Sequence, residues 1–152
     1  MVKNVPISEV RMAVDLVWRV FSEFVAPDYI QQGIDNFKKY IDHNNMVDNV
    51  EHGKVHFLGY YYEKQLVGVL AFENRPHISL LYVDKDYHKQ GIGRVLIAEF
   101  KKYCKQQFTS SIITLNASPY AHDFYKKLGF YDTSTEQTIN GIRFYPMEKE
   151  LE

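Results

Sequence analysis

The sequence predicts an α/β domain with a mixed, mostly antiparallel central sheet flanked by helices. Three observations carry that prediction. Apolar residues recur at helical spacing near the N-terminus and again over residues 91–106. The middle of the chain switches to short β-rich runs joined by polar connectors, the signature of a meander. The last two β-rich runs flank Asn140-Gly141, a strong two-residue hairpin turn. At 152 residues a single domain over 1–152 is expected, large enough to bury a core without disulfide or metal staples.

Each element follows from local pattern. Residues 2–7 read as a first strand. Ser8 stands where it can cap a helix whose buried stripe is Val10, Val14, Val17, Phe21 and Phe24, and Pro27 ends that helix. Asp28 stands where it can cap a second helix with Ile30, Ile34, Phe37 and Ile41 on one stripe. Gly33 inside it costs about 1 kcal/mol relative to Ala. His43-Asn44-Asn45 reads as its end. Residues 55–62, 66–72 and 77–83 are predicted strands, and 91–106 a helix. Residues 111–115 form a short strand. Ser118 caps a further helix, with Pro119 at its first position and Gly129 just past its end. Residues 133–139 and 142–147 make the closing hairpin. The predicted order is β-α-α-β-β-β-α-β-α-β-β.

Composition narrows the function classes. Apolar residues at 45% and a net charge of -1 argue against disorder and against a bulk electrostatic grip on nucleic acid or anionic membrane. The single Cys cannot form an intrachain disulfide, which suits a reducing compartment. Cys104 follows Leu96 and Phe100 at four-residue steps and reads as a small core hydrophobe. No apolar run approaches the ~20 residues that span a bilayer, and no signal-peptide pattern opens the chain, so a cytoplasmic location is expected. No His/Cys/Asp/Glu group has metal-ligand spacing, and no metal is expected. His43 and His52 read as loop or cap residues, His56 as an exposed strand position and His122 as helix surface.

Two segments carry chemistry. The first runs from a strand ending at Val83 through His88-Lys89-Gln90-Gly91-Ile92-Gly93-Arg94 into a helix. A helix N-terminus presents unpaired N–H groups and a partial positive charge, and glycine lets backbone approach a ligand, so this is a ready anion site. Lys89 and Arg94 add charge beside it. The pattern is not a P-loop, and Leu96 replaces the third glycine of a dinucleotide fingerprint. The second segment is Ser118-Pro119-Tyr120-Ala121-His122-Asp123-Phe124-Tyr125, followed by Leu128-Gly129-Phe130. Ala121, Phe124 and Leu128 form a helical stripe, and Tyr125 lies at its edge.

Together these segments resemble the two motifs of the GCN5-related N-acetyltransferases (GNAT), Gln/Arg-x-x-Gly-x-Gly/Ala and Asn-x-x-Ala-x-x-Phe-Tyr-x-x-x-Gly-Phe. The resemblance covers the element order of the whole chain and the motifs over about residues 77–130. It implies an acyl-CoA N-acyltransferase-like fold and acetyl-CoA as co-substrate. Backbone groups around Leu81 and Val83 would meet the pantetheine arm. The N–H groups of His88, Lys89, Gln90, Gly91, Ile92 and Gly93, with Arg94, would hold the pyrophosphate. Tyr125 matches the tyrosine that protonates the departing thiolate in many relatives. The chain departs from the motifs at two places. His88 replaces Gln or Arg, and Ser118 replaces Asn, leaving Asn116 as a substitute contact.

The resemblance also suggests a general base on the third strand of the meander. His77, six residues before Val83, occupies that position. Strict alternation puts His77, Ser79, Leu81 and Val83 on one face, and an unshifted imidazole near 6.5 suits the task. Glu73 is the other candidate, and a reaction with no dedicated base stays open. The implied acceptor is a small-molecule or peptide amine, with Glu23, Asp28 and Tyr29 as candidate walls of its site. Two other readings are a catalytically inactive acyl-CoA-binding regulatory module and an interaction domain using Tyr60-Tyr61-Tyr62. A homodimer paired through the C-terminal hairpin is also compatible with the sequence.

Overall fold

The protein is described by a computed structural model over residues 1–151. The β-rich middle of the chain forms the predicted meander: β2 (His56–Tyr62), β3 (Gln65–Phe72) and β4 (His77–Val83) pair antiparallel in sequence order. A short β1 (Val2–Asn4) adds to the β2 edge. Beyond β4 come β5 (Ile112–Ala117), β6 (Tyr131–Asp132), β7 (Gln137–Ile139) and β8 (Ile142–Glu150). The sheet order is β1-β2-β3-β4-β5-β8-β6, with β7 on the far part of β8. The β4–β5 pair is parallel, and its register has only two residue pairs, His77 with Thr114 and Ile78 with Leu115. Past Ile78 the two strands part.

Helices cover both faces, which explains why β3 is buried along nearly its whole length. One face carries α1 (Val10–Val20), α2 (Gln31–Tyr40) and α3 (His43–Glu51). Val10, Val17, Phe21, Phe37 and Met46 pack there against Val69, Ala71 and Leu80. The other face carries α4 (Ile92–Gln107) and α5 (His122–Lys127). There Leu96, Phe100 and Cys104 meet Leu70, Phe72, Ile78 and Leu115. Burial pushes the Cys104 thiol up to about 12, which suits a core filler and not a nucleophile.

Several local expectations are corrected. Ser8 lies inside a 3-10 turn, Ile7–Glu9, and caps nothing. The first helix does not stop at Pro27 cleanly. It runs on through a π-helical turn, Phe21–Val25, and a 3-10 turn, Ala26–Asp28, that holds the proline. That detour delays α2 to Gln31, so Asp28 cannot cap it. His43-Asn44-Asn45 begins a helix instead of ending one, because Asp42 turns extended and accepts the Asn45 N–H at 3.1 Å. A third helix therefore precedes β2. The expected strand 133–139 is reduced to β7, and β6 forms just before it.

The three consecutive tyrosines make no exposed patch. Tyr61 is buried and donates to Glu9 at 2.6 Å, Tyr60 packs on the α4 side, and Tyr62 is the exposed one. His122 is not a free surface residue either. Its ring stacks on Tyr145 at 3.7 Å, and Nε2 lies 2.7 Å from Asp132.

Asn140 and Gly141 both have positive φ, +53° and +79°, as the tight turn between β7 and β8 requires. That turn packs on α2 of the same chain. A Cβ on Gly33 would overlap the Gly141 carbonyl oxygen, and a Cβ on Gly141 would lie 2.9 Å from the Gly33 Cα. The helix-breaking glycine is thus explained by backbone meeting backbone. Gly33→Ala should lower stability, by about 1–3 kcal/mol from overpacking, although Ala is the better helix former. Urea unfolding checks this, and a gain of about 1 kcal/mol would mean that the turn does not rest on α2.

Candidate active site

The parting of β4 from β5 creates the site. From Leu80 to Val83, β4 pairs with β3 on one side and has no strand on the other. The backbone groups on that side are open to a ligand. The strand then leads into a 3-10 turn, Lys85–Tyr87, whose start is held by the Asp84 carboxylate accepting the Asp86 N–H. Lys89 and Gly91 both adopt left-handed conformations, φ +63° and +81°, and Gly91 caps α4. A Cβ on Gly91 would meet nothing within 4 Å, so open space lies in front of the helix N-terminus.

Gly93 differs. Its Cβ would stand 3.0 Å from the Phe124 ring, so the packing of Phe124 against α4 by itself favours glycine there. The loop is fastened to the end of α1 by three contacts. Arg19 reaches Asp84 at 3.0 Å, Glu23 reaches Lys85 at 3.1 Å, and the Phe24 and His88 rings lie 5.1 Å apart. Glu23 thereby anchors the loop. His88 Nε2–H donates to the Val83 carbonyl at 2.8 Å. Its side chain closes the end of β4 instead of reaching outward.

The expected one-sided row on β4 is broken. The register shifts between Ala71 and Phe72, so that Ala71 opposes Leu80 and Phe72 opposes Ile78, with Ser79 as the extra residue. Leu81 and Val83 face the α4 side with Ile78, whereas Leu80 and Tyr82 face the α1 side. His77 sits opposite Thr114, with Nδ1 at 2.7 Å from Thr114 Oγ1. Ser79 meets the Tyr40 hydroxyl of α2. His77 and Ser79 therefore share the α2 side, and Leu81 and Val83 do not. His77 lines a small depression of about 140 Å³ with Arg75, Ser110, Ile112 and Thr114. Glu73 lines a neighbouring groove of about 470 Å³ with Asn49, Lys54 and Arg75. Six residues of strand put His77 about 20 Å from Val83.

The imidazole is not the unshifted base expected from sequence. Burial, reinforced by the Arg75 charge, lowers it to about 4. It is neutral at pH 7 but a poorer proton acceptor than a free histidine.

Tyr125 comes from α5 on the α4 side and is buried against Phe124 and Phe130. Tyr82 lies on the opposite face of the sheet, and its phenol is raised well above the ordinary value by burial, with further contributions from Tyr29 and Tyr125. Tyr125 itself is raised by burial, well above an ordinary phenol. Tyr29 is pushed up to about 12 by burial and by Asp28, and its hydroxyl donates to the Arg143 carbonyl at 3.3 Å. Tyr82 is the site residue that sequence reasoning missed, because the bulge at Ser79 changes which face it takes. Asn116, on β5, is exposed and shares the Thr114 side. Ser118 Oγ accepts the Ala121 N–H at 3.2 Å, which commits it to the turn before α5. The Phe24 and Tyr120 rings lie 5.2 Å apart.

Among the described residues, no group of three or more His, Cys, Asp or Glu could hold a metal ion, and no helix is long and apolar enough to cross a membrane.

The His77 shift has a testable sign. The unfolded imidazole titrates near 6.5 and the folded one near 4, so the unfolded chain binds more protons in between. Stability from this site is complete above pH 6.5 and is lost as pH falls toward 4. His77→Gln should flatten the stability–pH slope over that window in urea unfolding. An unchanged slope would show that folding does not hold His77 neutral.

The comparisons with known proteins agree with this architecture. Residues 25–151 match the family described as "Acetyltransferase (GNAT) domain". A UPF0039 protein of Schizosaccharomyces pombe is 35% identical over 75 residues, 49% of this chain and 50% of that protein. The chain thus matches about half the length of that relative. Among solved structures, a GCN5-related N-acetyltransferase from Rhodopseudomonas palustris superposes with a TM-score of 0.84 at 20% identity, over 99% of this chain and 95% of that one. The PaiA N-acetyltransferase of Thermoplasma acidophilum, solved with coenzyme A, gives 0.80 at 19% identity over 99% and 98%. With more than four-fifths of its length matched, the chain belongs to the GNAT acetyltransferase family.

Proposed function

We propose that the protein transfers an acetyl group from acetyl-CoA to a primary amine by direct attack in a ternary complex. The observation that carries this reading is the unpaired edge of β4, which runs from Ser79 to Val83 and leads to the left-handed turn at Gly91. That edge and the open space before α4 suit an extended arm ending in a pyrophosphate. Acetyl-CoA supplies the activated acyl carbon and a thiol leaving group.

The chain's own residues do the rest. The N–H groups over residues 88–93, with Lys89 and Arg94, hold the negative end, and the backbone at Leu81 and Val83 orients the arm. Since His88 holds the Val83 carbonyl, the arm meets that end of the strand with His88 beside it. Tyr125 faces the gap and acts as a hydrogen-bond donor to the leaving sulfur. Complete proton transfer from so weak an acid to a thiolate is uphill, whereas a charge-assisted hydrogen bond is not. His77 and Ser79 lie on the side from which an amine approaches. With its imidazole near 4, His77 positions or relays more readily than it takes up a proton.

Calorimetry and an acetyl-CoA turnover assay over a panel of amines test the reading. Gly91→Val should fold and lose most of its acetyl-CoA affinity, because its left-handed φ and its side chain both oppose the bound geometry. Unchanged affinity refutes the cofactor site. Tyr125→Phe should keep that affinity and lower kcat about 10- to 100-fold, the worth of one hydrogen bond to a charged group. Any rise of kcat/KM between pH 6.5 and 9 should survive in His77→Gln, since it belongs to ionisation of the amine. Tight binding without turnover of any amine would favour the regulatory-module reading instead.

A further inference from the structure

We propose that the depression at the vertex of β4 and β5 is a carboxylate site, built from the Arg75 guanidinium and the Nε2–H of His77. The site stands on its own geometry. That the carboxylate belongs to the acceptor amine itself rests on the acetyl-transfer reading above.

The wall is fixed residue by residue. Asn74 Nδ2 donates to the Gly53 carbonyl at 3.1 Å, and Asn74 Oδ1 accepts from His56 Nε2 at 2.9 Å. The His77 N–H donates to the Arg75 carbonyl at 2.8 Å across Pro76, a three-residue turn. The Thr114 N–H donates to the Pro76 carbonyl at 3.0 Å. Arg75 therefore leaves a tethered backbone at the rim of a depression of about 140 Å³.

Two polar groups there are unspent. The Ser110 hydroxyl donates to the Ile112 carbonyl at 3.0 Å, and Thr114 Oγ1 is bonded to His77 Nδ1. Among the described residues, no carboxylate pairs with Arg75, and no unpartnered side-chain nitrogen or oxygen is sealed from solvent. His77 Nε2 has no protein partner, so it opens on the depression that His77 lines. The carboxylates of the flanking elements are turned elsewhere. Glu148, opposite Thr114 on β8, accepts from the Tyr131 hydroxyl at 3.1 Å. Glu73 lines the separate groove with Lys54. The charge that acts on the imidazole is that of Arg75. With Nδ1 accepting from the Thr114 hydroxyl, neutral His77 carries its proton on Nε2 and donates. One guanidinium and one neutral N–H balance a single negative charge, which a carboxylate carries and a phosphate dianion exceeds.

The depression lies on the side from which the amine approaches. His77 is two residues, about 7 Å of strand, from Ser79 at the start of the open edge. An acceptor whose carboxylate rests at Arg75 reaches that edge when several bonds separate its acid from its amine. The substrate class is a straight-chain amino acid with a terminal amine.

Imidazole ¹⁵N NMR at pH 7 and constant ionic strength reads the site, with sodium acetate as probe and sodium chloride as control. Acetate should move the His77 signals saturably, with Nε2 as the protonated nitrogen. Arg75→Gln should weaken that response about tenfold or more, and Arg75→Lys, which keeps the charge without the fork, should restore part of it. The second arm compares ω-amino acids of four to six carbons with alkylamines of matching length at saturating acetyl-CoA. The best amino acid should exceed its matched alkylamine about tenfold or more in kcat/KM, chiefly through KM, and Arg75→Gln should erase the difference. Acetate binding with equal use of both supports the site and assigns its carboxylate to a separate ligand. No saturable response to acetate, a response that Arg75→Gln leaves intact, or an unprotonated Nε2 in the acetate-bound protein overturns the proposal. Acetate binding in a protein that acetylates none of these amines supports the site and counts against the acetyl-transfer reading alone.

Discussion

Two residue pairs hold β4 to β5, and the rest of the molecule is arranged around the point where that pairing stops. A strand whose backbone groups lose a partner must find another, since buried unpaired amides are costly. β4 keeps β3 along its other side, so its position does not depend on β5. The open edge is therefore rigid, and a rigid edge with unused hydrogen-bonding groups is a template for an extended ligand. His77 and Thr114, bonded to each other, mark the vertex from which the strands diverge.

The loop at the other end of the edge has little internal support and takes its shape from α1. The ion pairs of Arg19 with Asp84 and of Glu23 with Lys85 involve largely exposed cations, and each contributes at most about 1 kcal/mol. Their value lies in direction, because they align successive turns of one helix with successive residues of the loop. The π-helical turn at Phe21–Val25 brings Phe24 toward His88, and His88 ties back to Val83. The imidazole at a position usually held by Gln or Arg thus serves the end of the strand.

Electrostatics in the gap follow from burial. Tyr29, Tyr82 and Tyr125 are all raised because an ionised phenol there has no water to solvate it. Three neutral hydroxyls donate and accept without adding charge, which suits the proposed transfer from a thioester to an amine. At the other end of β4, about 20 Å from Val83, burial and the Arg75 charge lower His77 in the same way.

The sequence alone determined what local pattern controls. The meander, the α4 and α5 helices, the Asn140-Gly141 turn, the glycine loop and the buried Cys104 follow from period, turn chemistry and helix termini, which act over a few residues. The two motifs, in register, were enough to identify the family resemblance. What only the tertiary structure decided depends on neighbours distant in sequence. The bulge at Ser79 arises from the pairing of β4 with β3, and it moves His77 away from the face of Val83. The lowered imidazole depends on burial beside Arg75 and Thr114. Gly33 reads locally as a weak point in a helix, and its reason, Gly141, lies 108 residues further along the chain. Local preferences are summed residue by residue along the chain, whereas packing is set by whichever surfaces the folded sheet brings together.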